Sequence, residues 1–393
     1  MSESSCCETK KEFGSEGIQI KPFASRQPDD EVCCGGPAGS PGSPHEKPGY
    51  QIARFVEGFM EMDCGPVPKI KTHLSWLDIG GTIMVRLGFN RNHYKVSPGL
   101  YGVGSPTPDS PVLVTANYKL SFDAVRKSLS GINAWLLVLD TCGINVWCAA
   151  GKGTFGTTEL VNRVKSTGLA KIVKHRRLIV PQFGATGIAA HQVKKQCGFT
   201  VSWGPVRAAD IRDFLNHDMQ ASAMMRRVTF TLPERLVLIP VEIYISVKPV
   251  LWTGLVIFIV SGIGPGIFSF PNAWERGVNG IISLIGGVFA GAFLTPVFLQ
   301  KLPGKAFSIK GAAAGIMTAF AMALWVWKDM TWFEISGLML FAVSVSSYLA
   351  MNFTGATPFT SPTGVEKEMR KSIPLQLLAT IIAAIIWIGG VFI

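Results

Sequence analysis

The alternation of apolar and polar positions divides the chain into three stretches. Residues 1–49 follow neither a helical nor a strand period and mix Ser, Gly, Pro and charged residues. Such a stretch buries too little apolar surface to order itself, so it is expected to be a disordered polar tail. Residues 50–232 alternate short apolar runs with amphipathic ones. Residues 74–89 and 111–115 read as strands and 121–129 as a helix. The unbroken apolar run 134–139, ending at Asp140, suits a strand buried on both faces. A helix at 157–166, a strand at 177–180, a helix at 186–195, a strand at 200–203 and a helix at 207–215 follow. This order predicts an α/β domain, a Rossmann-like parallel sheet covered by helices, with ligands bound beyond the carboxyl ends of the strands.

The pattern changes after a linker at 233–248. Five windows of roughly 17–22 residues, at 249–270, 279–300, 311–327, 335–352 and 374–393, hold no Asp, Glu, Lys, Arg or His. Each is long enough to cross ~30 Å of hydrocarbon, predicting an all-α transmembrane domain of five helices. Lys301, Lys305 and Lys310 follow the second window and Lys367, Arg370 and Lys371 precede the fifth, against only Arg276 and Lys328 in the other loops. Positive residues stay inside, so the large N-terminal domain is expected in the cytoplasm of a multi-pass inner-membrane protein.

The formal charge of +11 points to anionic partners, the membrane surface first. Between Leu160 and Ala209 no acidic residue occurs, while Arg163, Lys165, Lys171, Lys174, Arg176, Arg177, Lys194, Lys195 and Arg207 do. Lipid head groups, a cofactor's anionic arms or an acidic redox partner would suit that face. Neither an RNA-binding aromatic signature nor zinc-finger spacing is present, which argues against nucleic acid. The N-terminus shows no charged-then-apolar leader, so the eight cysteines are expected to be reduced. Cys6-Cys7 and Cys33-Cys34 are adjacent thiol pairs able to catch a soft ion.

The candidate chemistry sits just after the buried-strand run, in Asn145-Val146-Trp147-Cys148-Ala149-Ala150-Gly151-Lys152. A thiolate is a soft, strongly donating ligand for a transition metal, and Ala149, Ala150 and Gly151 let a bulky planar group approach the backbone. A buried cysteine acting as a small hydrophobe is the alternative. Gly151, Gly153 and Gly156 also satisfy G-x-G-x-x-G, but the acid expected about 20 residues on to hold a ribose is missing.

At all eight positions the stretch resembles the motif of the HgcA family, membrane-bound corrinoid proteins of anaerobic mercury methylation. The resemblance implies a cap helix at 145–152 under a cobalamin-type corrinoid, with Cys148 as the lower axial ligand of cobalt. Asn145, Val146, Trp147, Ala149, Ala150, Gly151, Lys152 and Gly153 would then lie against the cofactor. It further implies methyl transfer to a mercuric thiolate, giving methylmercury, with a ferredoxin-like iron–sulfur protein, HgcB, as reductant and a methyl-folate pathway as methyl donor. By resemblance to corrinoid iron–sulfur protein domains, Thr115, Ser121, Gly184, Ala185, Thr186 and Gly187 are expected near the cofactor tail. The D-x-H-x-x-G pattern of histidine-ligated cobalamin is absent from the sequence, consistent with a sulfur ligand. A corrinoid carrier with another methyl acceptor, and a transporter or receptor with a cytoplasmic sensing domain, stand beside this reading.

Overall fold

A computed structural model describes residues 53–392 apart from 265, 326–329, 356–359 and 361. The tail at 1–49, with Cys6, Cys7, Cys33 and Cys34, lies outside the described residues, as does Lys328. Two compact units form, one from residues up to Val85 with Asn90–Arg227, the other from Arg86–Phe89 with Val228 onward.

The first unit is built on seven strands: β1 (Val56–Met60), β2 (Val67–Ile70), β3 (Gly99–Val103), β4 (Val112–Ala116), β5 (Ala134–Leu139), β6 (Arg177–Val180) and β7 (Thr200–Trp203). They lie in the order β1-β2-β3-β5-β4-β6-β7. Pairing is parallel across β5-β4-β6-β7, but β3 runs antiparallel to β5 and β1 antiparallel to β2. The expectation of a purely parallel sheet is therefore corrected to a mixed one. The extra strands are short and interrupted by Gly99, Gly102 and Pro68, so they carry little apolar signal. Every residue of β4 and β5 is buried, as a strand covered on both faces requires. Side chains such as Leu137 and Leu139 each contribute roughly 1.5–3 kcal/mol by leaving water.

Helices α1 (Trp76–Arg86), α2 (Lys119–Ser128), α3 (Val146–Lys152), α4 (Thr157–Ser166), α5 (Leu169–Ile172), α6 (Ala190–Cys197) and α7 (Ile211–Asn216) complete the unit. The strand expected at 74–89 is instead α1. Its start is set by Ser75 and Asp78: the Asp78 N–H donates to Ser75 Oγ, and the Ser75 N–H donates to Asp78 Oδ2. The helices expected at 186–195 and 207–215 begin later, at Ala190 after a turn and at Ile211 behind a single 3-10 turn.

The second unit is helical: α8 (Leu232–Leu236), α9 (Ile239–Ser261), α10 (Phe270–Val288), α11 (Thr295–Val297), α12 (Phe307–Trp325), α13 (Trp332–Gly355) and α14 (Pro362–Gly389). Five stretches, Leu232–Ser261, Phe270–Val297, Phe307–Trp325, Trp332–Phe353 and Gly364–Gly389, are long and apolar enough to cross a membrane. α8 and α9 run through the segment read as a linker at 233–248. α9 ends at Ser261, and Ile263–Gly264 and Ile267–Phe268, expected inside the first span, pair as two short antiparallel strands. Glycines bring the helices into backbone contact: a Cβ added at Gly287 would lie 2.7 Å from the Ala342 carbonyl, and one at Gly311 2.6 Å from that of Ser346.

Candidate functional site

β4 and β5 are parallel neighbours with Ala116 opposite Leu139, so their carboxyl ends lie side by side. From β4 comes Asn117, buried, and from β5 the loop Asp140-Thr141-Cys142-Gly143-Ile144. The Asn117 Oδ1 accepts hydrogen bonds from the backbone N–H of Thr141 at 3.1 Å and of Gly143 at 3.0 Å, and lies 2.8 Å from the Thr141 hydroxyl. The Asn117 amide donates to Asp140 Oδ1 at 3.0 Å, which also accepts from the Cys142 N–H. The Asp140 N–H in turn donates to Glu159 on α4 at 2.9 Å. The turn is tight: Cys142 and Gly143 both take positive φ, at 55° and 72°.

This loop delivers the chain to α3. Asn145 is its N-cap, with Oδ1 accepting from the Cys148 N–H at 2.9 Å, and Gly153 closes it in the left-handed region at φ 83°. Val146, Ala149 and Ala150 form the buried face. Trp147 and Cys148 are half-buried, and Gly151 and Lys152 exposed. At 100° per residue these four share the opposite face, so the thiol stands on the side of α3 turned away from the core. Among the described residues nothing lies within 4 Å of where a Cβ on Gly151 or Gly153 would stand. That outer face has a soft sulfur donor with open space beside it, a fit to a planar macrocycle approaching along the helix.

The segment 184–187 reaches the same helix, but as a support. A Cβ on Gly187 would come 2.2 Å from the Phe155 carbonyl and 3.1 Å from Ala150 Cα, and one on Gly184 2.5 Å from the Phe155 ring. The Thr157 N–H donates to the Gly187 carbonyl, and the Ala189 N–H to the Thr157 hydroxyl. Ala185 is half-buried and Thr186 exposed on this loop. Thr115 is 1% exposed within β4, opposite Val138, and Ser121 is half-buried in the first turn of α2. The glycines of G-x-G-x-x-G end α3 and start α4, rather than linking a strand to a helix.

Sequence reasoning missed Asn117, Thr141 and Glu159, which hold the loop in place. The available signal was an Asn directly after one apolar run and an Asp directly after the next. Of the basic window, Lys165, Lys171, Lys174, Arg176, Arg177, Lys194 and Lys195 are exposed, whereas Arg163 pairs with Glu159 at 2.8 Å.

Residues 89–215, from just after α1 to the end of α7, match the family model described as CO dehydrogenase/acetyl-CoA synthase delta subunit. The chain is 32% identical over 127 residues to the acetyl-CoA decarbonylase/synthase complex subunit gamma of Archaeoglobus fulgidus, covering 32% of this chain and 27% of that protein. It is 32% identical over 130 residues to the subunit of the same name from Methanopyrus kandleri, covering 33% and 28%. The Methanosarcina acetivorans subunit is 34% identical over 128 residues, covering 31% and 26%. The matched stretch thus spans about a quarter of these relatives. The HgcA resemblance drawn from the octapeptide is corrected by these matches: over residues 89–215 the chain is similar to subunits of acetyl-CoA decarbonylase/synthase.

Proposed function

We propose that this chain is a membrane-anchored, corrinoid-dependent methyl-transfer protein in which the Cys148 thiolate is the lower axial ligand of cobalt and mercuric ion is the methyl acceptor, giving methylmercury. The observation that carries the reading is the orientation of α3: its alanines face the core, while Cys148 and Gly151 share the open face. The similarity of residues 89–215 to decarbonylase/synthase subunits supports methyl-group chemistry.

When bound, the corrinoid supplies methyl transfer at cobalt. The chain's own residues set its character. Cys148 would hold the cobalt as a strongly donating sulfur ligand, a character that suits an electrophilic soft ion as methyl acceptor. Asn145 and the Asn117 loop fix where that sulfur stands. Trp147, half-buried beside it, would shield the sulfur from water, and exposed Lys152 would be free to meet an anionic arm of the cofactor or stay solvated. A ferredoxin-like iron–sulfur protein as reductant and a methyl-folate donor complete the proposal. The distribution of Lys and Arg around the five apolar helices supports a cytoplasmic location for the α/β unit.

The test is to incubate purified, reduced and methylated full-length protein with a mercuric thiolate and measure methylmercury. Formation by the wild type and its loss in Cys148→Ala are expected; full activity in that variant overturns the mechanism. The absorption spectrum of the anaerobic, cofactor-loaded protein reads the ligand independently, and an imidazole or water signature would contradict it. A second reading keeps the corrinoid and changes the acceptor, favoured by the names of the relatives. It is distinguished by a sulfur-ligated spectrum without methylmercury formation.

A further inference from the structure

Helix α1 is amphipathic the wrong way round for a helix packed on a soluble domain. Its one carboxylate, Asp78, turns inward to Lys119 Nζ at 2.7 Å and to the fully buried Arg126 guanidinium at 2.9 Å, and Val85 is buried beside the same face. Trp76, Leu77, Ile79, Ile83, Met84 and Leu87 are all exposed, Trp76 at 86% and Leu77 at 63%. At 100° per residue the first five, all on α1, fall on one arc opposite Asp78 and Val85, and Leu87 follows in the turn after the helix. A stripe of this size, led by a Trp, is costly in water and typical of helices lying in the lipid–water interface.

The chain states where this stripe goes. Arg86, the last residue of α1, and Leu87–Phe89 after it belong to the helical unit. The Phe89 ring packs 5.4 Å from that of Tyr244 on α9, and Gly88 sits so close to Tyr244 that a Cβ would meet its ring at 2.3 Å. Tyr244 lies five residues before Pro249, where the charge-free part of the first span begins, which is the depth at which aromatic side chains gather at a bilayer surface. Phe89 is the third residue after Arg86, the last of α1, a reach of at most about 10 Å. The chain itself thus ties the C-terminal end of α1 to the helical unit.

We propose that α1 is an in-plane membrane helix, with Trp76, Leu77, Ile83, Met84 and Leu87 in the head-group region of the bilayer and Asp78 holding its polar side to the α/β unit. This rests on the five apolar helices being membrane spans and is independent of the corrinoid. A second copy, or the chain's own residues 1–52, are the competing occupants of the face.

The test uses the full-length protein in nanodiscs of phosphatidylcholine and phosphatidylglycerol carrying a phospholipid with a photoactivatable group near the glycerol. After illumination and proteolysis, lipid adducts are mapped by mass spectrometry. Adducts on peptides covering 76–87 as well as on the spans are expected. In Ile83→Glu and Leu87→Glu the 76–87 adducts should be lost while those on the spans persist. Adducts on the spans with none at 76–87 would overturn the proposal. So would a photoreactive residue at position 76 crosslinking to a second copy or to residues 1–52. Failure of the span reading is separate, because no adducts would then appear on 239–392 either.

Discussion

The side-chain oxygen of Asn145 accepts a hydrogen bond from the backbone N–H of Cys148 at 2.9 Å, so the residue that starts the short helix also ties down the residue carrying its sulfur. Asn145→Ala removes that acceptor. The expected cost is about 1 kcal/mol of local stability, and exchange of the Cys148 amide hydrogen should quicken by roughly fivefold. Hydrogen exchange with mass spectrometry on peptides covering 145–153 checks it; unchanged protection would show that packing of Val146 and Ala149 alone holds the helix.

Asn117 makes a larger claim on the same loop. Its Oδ1 is the acceptor for the Thr141 and Gly143 amides, and its NH2 group donates to Asp140. Asn117→Ala leaves two buried N–H groups without that acceptor, each costing about 1–3 kcal/mol. Stability should fall by about 2–6 kcal/mol. If Cys148 ligates cobalt, the loaded protein should also lose the sulfur-ligand signature in its absorption spectrum. Asn117→Asp keeps an acceptor but sets a second carboxylate beside Asp140, so its stability should recover as the pH falls through the carboxylate range.

The pattern makes α4 legible, since the amphipathic period at 157–166 reappears as Thr157–Ser166, whereas α3 is expected only from the resemblance, with Asn145 at its start and Gly153 at its end in keeping with it. α1 is misread as a strand because its apolar residues face outward, so the burial pattern does not mark a core side, and the Ser75–Asp78 cap was passed over. The strands β1 to β3 are hidden by Gly99, Gly102, Pro68 and charged residues such as Glu57 and Lys69. The support of the site is the least visible part. Asn117 lies 24 positions from Thr141 and 26 from Gly143, and only the parallel pairing of β4 with β5 makes them neighbours.

Asp78 gives a pH dependence whose sign is fixed by its surroundings. Burial alone would raise its pKa, but the Lys119 ammonium and hydrogen bonds from Ser75 outweigh that and hold it well below the usual carboxylate range. A folded-state pKa below the unfolded one means the contribution is complete above the ordinary value of about 4 and is lost as pH falls through the folded value. Lys119 is shifted upward, because Asp123 and Asp78 outweigh the desolvation that would lower it. Its contribution is complete below its ordinary value of about 10.4 and is lost as pH rises through the folded value. The melting temperature should therefore fall below about pH 4, and Asp78→Asn should flatten that fall. At pH 7 the same variant should lose about 3 kcal/mol, since it leaves Arg126 with Asp123 as its remaining carboxylate. Thermal melts of the full chain in detergent from pH 3 to 7 measure both.

Two glycines on the same support separate folding from cofactor binding. Gly187 has no room: an added methyl would meet the Phe155 carbonyl and Ala150 of α3. Gly187→Ala must push that helix outward and should destabilise the protein by about 1–3 kcal/mol. Gly151 is inside α3, exposed, with nothing within 4 Å of the added carbon. Gly151→Ala should therefore leave the cofactor-free protein as stable as before, or more stable by about 0.5–1 kcal/mol, because alanine loses less backbone freedom than glycine in a helix. The methyl nonetheless projects from the face that carries Cys148. If a corrinoid lies against that face, Gly151→Ala weakens its binding while raising the melting temperature of the cofactor-free form. Titration of the corrinoid into each variant, beside thermal melts without it, reads the two effects apart. Binding unchanged in Gly151→Ala would mean that the macrocycle does not sit over this turn of α3.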